Sequence, residues 1–296
     1  MQQWLPVGVT PGQRFAASDG PVCEASAVSE QSSPSYRGRD APVAVVTGAA
    51  GNIGRRILER LGDAGYLAVG LDLPAALPDG DPRFRGCDIT DDAEVRRVVA
   101  AILADLGRID VLVNNAGISA IGRFEDHDVA VHRRVVEVNH LGAVACTQAA
   151  LPALRETSGR VVVIGSVTGF APVLGRPAYV GAKHAVTGPF ESLRIELAPE
   201  GVGVTLVHPT FVSGGMGEAG PRSSGRIRVT TGAEVTADDV ARAVVDGVAQ
   251  GRDRVFVGRT ARLSWHLYRH APGLYTRLMT RRLARAAVTG DLRGEA

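Results

Sequence analysis

The sequence predicts an α/β fold: a Rossmann-like, doubly wound parallel sheet in a single domain with a C-terminal helical extension. Three observations carry this. Short β-branched runs alternate with helical patterns from residue 42 onward. Several of the runs are apolar throughout rather than alternating, as strands covered on both faces are. The first run leads straight into a glycine-rich turn, "TGAAGNIG", that opens a helix.

The elements follow in order. Residues 1–41 are rich in Ser, Pro, Gly and Gln and poor in aliphatics, so they are expected as a flexible leader that buries too little surface to offset its ordering entropy. The main domain is expected over 42–258. Its strands are read at Val43–Thr47, Tyr66–Leu71, Ile109–Val113, Arg160–Ile164, Val202–Val207 and Val255–Val257. The helices between them are read at Ile53–Ala64, Ala93–Leu106, Val129–Leu154, Ala178–Leu197 and Ala237–Ala249. Right-handed crossovers place the carboxyl ends of such strands along one edge, where ligands bind. Residues 259–296 read as a basic helical extension. Eight arginines fall between Arg259 and Arg293, against only Asp291 and Glu295. Its leucines and Trp265 leave three readings open: packing on the subunit or a second copy, a wall of an apolar pocket, or a membrane-surface contact.

Composition narrows the partners. A net charge of +2 over 296 residues gives no global pull toward nucleic acid. Cys23, Cys87 and Cys146 are odd in number and far apart, which argues against a disulfide framework or a zinc site and fits a reducing, cytoplasmic setting. Seven scattered histidines show no metal-ligand spacing, so no metal is expected. The N-terminus lacks the pattern of a signal peptide.

The glycine turn is physically specific. Gly48 permits the tight turn, the backbone around Gly51 and Asn52 can approach a phosphate, and Gly54 lets the helix beginning at Ile53 pack close to its strand. About 20 residues on, Asp72 ends the second strand, where a carboxylate accepts hydrogen bonds from ribose hydroxyls and repels a 2′-phosphate. NAD is therefore expected over NADP. The alternative for Asp72 is a plain cap on the turn before Pro74.

With "CDIT", "NNAG", "EVNHLG", "GSVTG", "YVGAK" and "HPTFVSGG" following in order, the chain over about residues 42–258 resembles the short-chain dehydrogenases/reductases, in their simple-oxidoreductase branch. The resemblance implies that Asp88 contacts the adenine with Ile89 beside it. It implies that Asn115, Ala116 and Gly117 line the adenosine side, and that Pro209 and Val212, within the 209–213 stretch, hold the nicotinamide end. It implies a catalytic tetrad of Asn139, Ser166, Tyr179 and Lys183, and commonly a homodimer or homotetramer. Two departures stand out. Asn52 occupies the middle glycine position of TGxxxGxG; read as TGxxGxxG, the turn matches the branch of nucleotide-sugar epimerases and dehydratases. "NNAG" and the 13-residue step from Ser166 to Tyr179 favour the simple branch. Thr210 and Ser213 replace a usual glycine and threonine.

Lys183 is the only lysine of the chain, among 33 Lys and Arg residues. Tyr179 lies four positions earlier, on the same face of a helix. A tyrosine with its ordinary pKa near 10 is a poor base at neutral pH, and a nearby cation favours the phenolate. A compact ammonium can serve both the phenol and a ribose hydroxyl, whereas a planar guanidinium that never deprotonates cannot. The expected function is an NAD-dependent oxidoreductase interconverting a secondary alcohol and a ketone of moderate apolarity. The alternatives are an epimerase or dehydratase with tightly bound NAD, and a non-catalytic cofactor-binding regulator. His208 is read as a structural histidine, and the Gly/Ser/Arg-rich stretch 211–231 as a lid.

Overall fold

A computed structural model describes residues 41–214 and 234–288. Seven strands are present among the described residues: β1 Val43–Thr47, β2 Leu67–Asp72, β3 Phe84–Gly86, β4 Val111–Asn114, β5 Arg160–Ile164, β6 Gly203–Pro209 and β7 Arg254–Val257. Eight α-helices accompany them among the described residues: α1 Asn52–Asp63, α2 Asp92–Leu106, α3 Val129–Val136, α4 Gly142–Glu156, α5 Pro177–Leu197, α6 Ala237–Ala249, α7 Arg259–His270 and α8 Pro272–Val288. The strands form one parallel sheet in the order β3-β2-β1-β4-β5-β6-β7. That order reverses between β1 and β4, which makes the crevice at their carboxyl ends the expected ligand position.

The period-two alternation of each strand sorts its side chains into two cores. Val43 and Val45 face a layer that contains residues of α2, α4 and α5. Ala44 and Val46 face α1 and α6. Every residue of β1 is buried, which is why its sequence is a continuous apolar run. The helix ends are set locally. Asp91 caps α2 through the amides of Ala93 and Glu94, Gly107 ends that helix in the left-handed region, and Thr236 with Asp239 forms a capping box on α6.

Two elements differ from the sequence expectation. Strand β3 was not anticipated, because "FRG" carries no periodicity. It forms because the Phe84 ring packs on Gly70, where a Cβ would lie 2.9 Å from the ring. The single helix expected over Val129–Leu154 is interrupted by a π-helical turn at Glu137–Leu141. One extra residue in that turn rolls Asn139 inward, where it is buried. Residues 1–40 of the expected leader, and 215–231 of the expected lid, lie outside the described residues.

The C-terminal helices pack on the subunit. Ala261 of α7 and Tyr275 of α8 form a small core with Val167 and Ala171, in the segment that follows β5. The Tyr275 hydroxyl donates to the Pro172 carbonyl at 3.0 Å. Trp265 packs edge-on against Phe170, with the Arg254 guanidinium 4.2 Å from its ring centre. Replacing Tyr275 tests this anchor. Tyr275→Ala is expected to cost about 3–5 kcal/mol of stability and Tyr275→Phe about 1 kcal/mol, read from the urea midpoint at constant slope.

Candidate active site

The carboxyl edge of the sheet collects most of the residues singled out by sequence. At the end of β1, the Thr47 hydroxyl accepts hydrogen bonds from the amides of Asn115 (3.0 Å) and Ala116 (3.1 Å). The Asn115 side-chain Nδ2 donates back to the carbonyls of Thr47 and Gly48. This lacing presses β4's exit onto the glycine turn. Gly48 has φ +64°, and a Cβ there would lie 2.7 Å from the Ala116 Cα. A Cβ on Gly54 would lie 2.1 Å from the Gly48 carbonyl oxygen. Both glycines are therefore required by the protein's own packing.

Gly51 is different. It is exposed, and among the described residues beyond its chain neighbours the one atom within 4 Å of an added Cβ would be the Gly48 carbonyl oxygen, at 3.4 Å. The protein leaves this space open. Helix α1 starts here with no side-chain cap, so its first amides are free to meet an anion. Asp72, at the end of β2, accepts from the Ala50 amide through one carboxylate oxygen (2.8 Å) and from the Leu73 amide through the other (2.9 Å). It thus braces both the glycine turn and its own turn, and its remaining lone pairs stay available to a ribose. Asp88 accepts from the amide and hydroxyl of Thr90. Burial acts to raise its pKa, but these bonds outweigh it and hold the carboxyl below its ordinary value. Ile89 is buried against the start of α4, where a Cβ on Gly142 would collide with it. An uncapped helix end, an open glycine and a carboxylate at the next strand end fit a dinucleotide.

The four candidate catalytic residues come from different elements. Ser166 follows β5, and its hydroxyl accepts from the Thr168 amide at 3.1 Å. Tyr179 and Lys183 lie one turn apart on α5 and are both nearly buried, at 5% and 3% exposure. The Lys183 ammonium donates to the Ile164 carbonyl at 2.7 Å and lies 5.7 Å from the centre of the Tyr179 ring. Burial lowers its pKa to about 8. Asn139 uses both ends of its amide on Ile118, accepting from the amide at 2.7 Å and donating to the carbonyl at 2.9 Å. Gly117 separates Asn139 from the lysine: a Cβ there would lie 2.9 Å from Asn139 Oδ1 and 3.8 Å from Lys183 Nζ. Pro209 ends β6, and Val212 pairs with Val235 just beyond it.

A family model described as "short chain dehydrogenase" matches residues 42–223, which span the glycine turn and all four of these side chains. The chain belongs to the short-chain dehydrogenases. It is similar to the dehydrogenase/reductase SDR family member 7B of Xenopus laevis, 34% identical over 201 residues that cover 66% of this chain and 62% of that protein. The chain thus matches about three-fifths of the length of that curated relative. It is also similar to 11-beta-hydroxysteroid dehydrogenase A of Sesamum indicum, 30% identical over 71% of this chain and 66% of that one. Among solved structures, a short-chain dehydrogenase from Burkholderia cenocepacia in complex with NADP superposes with a TM-score of 0.70, at 25% identity over 81% of this chain and 98% of that one.

Two residues of the site carried no such weight in the sequence. Thr47 ties two strand ends together through one hydroxyl, and its position at the mouth of the glycine turn was the available signal. His208, read as structural, is fully buried and faces the Ser166 carbonyl with Nδ1 at 3.2 Å. Burial pushes its pKa down to about 4, so the ring is neutral and Nδ1–H donates. The ring stacks on Phe256 and meets the edge of Phe170.

Lys183 makes stability depend on pH in a stated direction. Its pKa is lowered from 10.5 to about 8 in the fold, so between those values the unfolded chain holds a proton that the native state lacks. Wild-type stability should therefore rise with pH from 8 to 10.5. Relative to Lys183→Met, the gain should reach roughly 3 kcal/mol, measured by urea unfolding at stepped pH.

Proposed function

We propose that this short-chain dehydrogenase interconverts a secondary alcohol and a ketone with NAD, using Tyr179 as general acid/base. The observation that carries the reading is the buried pair on α5: the only lysine of the chain, at 3% exposure, with its ammonium 5.7 Å from the Tyr179 ring centre. A bound nicotinamide would supply the hydride acceptor or donor. The residues do the rest. In the oxidative direction the Tyr179 hydroxyl oxygen takes the proton of the substrate alcohol while the carbonyl forms. The Lys183 cation stabilises the phenolate. The Ser166 hydroxyl, held through Thr168, donates to the substrate oxygen and fixes its place. The Asn139 amide is spent on Ile118, so a water relaying the proton outward would be held by main-chain groups of the widened turn.

Asp72 supports NAD over NADP, since its carboxylate would face a 2′-phosphate. The NADP of the Burkholderia cenocepacia structure is what keeps the second coenzyme in the test. A moderately apolar substrate is supported by the steroid dehydrogenase relative and by the aromatic cluster of Phe170, Phe256 and Trp265 beside the Ser166 segment. The two described cysteines, Cys87 and Cys146, are buried free thiols, which supports a cytoplasmic setting.

The test is a screen of secondary alcohols and ketones with both coenzymes, followed at the nicotinamide absorbance. The expected result is turnover with NAD(H) favoured in kcat/KM. In Tyr179→Phe, kcat should fall by at least about a hundredfold while the NADH dissociation constant is kept. Tyr179→Phe with unchanged turnover would remove the mechanism.

The outer side of α7 and α8 suits an anionic membrane surface. Residues 259–288 contain seven arginines and no acidic residue, which leaves the rest of the chain at −5 against a total of +2. Leu263, at 67% exposure, stands beside the exposed Arg259 and Arg262. The protein is expected to co-sediment with phosphatidylglycerol vesicles and not with phosphatidylcholine alone. Arg259→Glu with Arg262→Glu should weaken this by about tenfold or more, at roughly 1 kcal/mol per arginine removed.

A further inference from the structure

Asn52 stands where the family's turn usually has its middle glycine, and the structure shows what its side chain does. Its Nδ2 donates to two main-chain oxygens, those of Ser213 and Gly214, both at 3.0 Å. These residues follow β6 and lie 161 and 162 positions away in sequence. Strands β4 and β5 separate β1 from β6 in the sheet. The contact is therefore made above the strand ends, where α1 and α6 come together on one face.

The receiving segment is itself braced. The Ser213 amide donates to Val235 and the Val235 amide to Phe211, both at 2.9 Å, so 211–213 pairs with the residue that leads into α6. Further along α1, Arg60 makes a bidentate bond to Asp238 of α6, both contacts 2.9 Å. Asn52 thus supplies the tie at the ligand edge, and Arg60 the tie two turns deeper. Gly214, at φ +62°, leaves just enough room: a Cβ there would lie 3.2 Å from Asn52 Nδ2.

We propose that Asn52 is a positioning residue for the dinucleotide. Its carboxamide holds the 213–214 backbone against the N-terminus of α1 and so closes one wall of the groove over the pyrophosphate and nicotinamide half. A glycine at this position has no atom to reach that backbone. The proposal rests on the cofactor reading given above, and it divides the cofactor in two. The adenosine end meets Asp72 and Asp88 and owes nothing to Asn52. The pyrophosphate and nicotinamide end depends on it.

The experiment compares binding of NADH, NADPH and AMP by calorimetry to wild type, Asn52→Gly and Asn52→Leu, with the melting temperature of each. Leucine keeps the bulk of the side chain without its donors, and it is a good helix former. The expected result is a rise of about tenfold in the NADH dissociation constant in both variants, the loss of two hydrogen bonds to main chain, with AMP binding held within about twofold. Equal weakening of NADH and AMP would mean a loosened turn and would overturn the positioning role. NADH binding unchanged in both variants would overturn it as well, with the cofactor reading left standing. A wild-type protein that binds neither NADH nor NADPH would overturn the cofactor reading, and the inference with it.

Discussion

The site depends on one buried ammonium. Lys183 sits at 3% exposure with its proton given to the Ile164 carbonyl, the last residue of β5. Desolvation lowers its pKa to about 8, so at neutral pH it is still charged. A lysine in that state is a strong local field beside Tyr179 and also a group that can surrender a proton. Arginine could supply the field but not the exchange. The chain's preference for arginine elsewhere marks where charge alone is wanted, on surfaces and in ion pairs such as Arg60–Asp238. Chemistry needs the exception.

Holding that ammonium in place takes most of the sheet edge. The Ile164 carbonyl is fixed by β5, which pairs on both sides with β4 and β6. Ser166, two residues on, has its carbonyl held by His208 from the end of β6. Asn139 reaches the same area from the π-helical turn and is locked to Ile118. Each tie joins neighbouring strand ends or the helix above them. The result is a preorganised cluster in which no single loop carries the geometry.

Much of this was legible in the sequence, and the misses have physical causes. Six strands were readable because parallel strands buried on both faces are continuous β-branched runs. Strand β3 was not, since three residues stabilised by one aromatic contact on Gly70 leave no period to detect. The helix over 129–154 was read as unbroken because a single inserted residue at 137–141 barely disturbs an apolar pattern, although it is what turns Asn139 inward. Tyr179 and Lys183 stood out as candidates because they share a helix face at fixed spacing, and the structure places both on α5. His208 was readable as a structural histidine, but its main-chain partner, the Ser166 carbonyl, lies 42 residues away and could be seen only in three dimensions. Asn52 showed as a departure from a motif, but its partners 161 residues away could be seen only in three dimensions.

The C-terminal helices gain a clearer meaning from the same cluster. Their inner side is aromatic: Trp265 and Tyr275 pack on the segment 167–172 that runs on from Ser166. Phe170 in that segment touches both Trp265 and His208. A continuous line of rings therefore links α7 to the residue that holds the Ser166 carbonyl. Their outer side is basic, with no acidic residue from 259 to 288. Like charges crowded on two short helices repel, and that repulsion must be outweighed by burial on the inner side. The aromatic anchors supply it. An outer surface that met a polyanion would relieve the repulsion, and would do so on helices packed directly against the segment that follows Ser166.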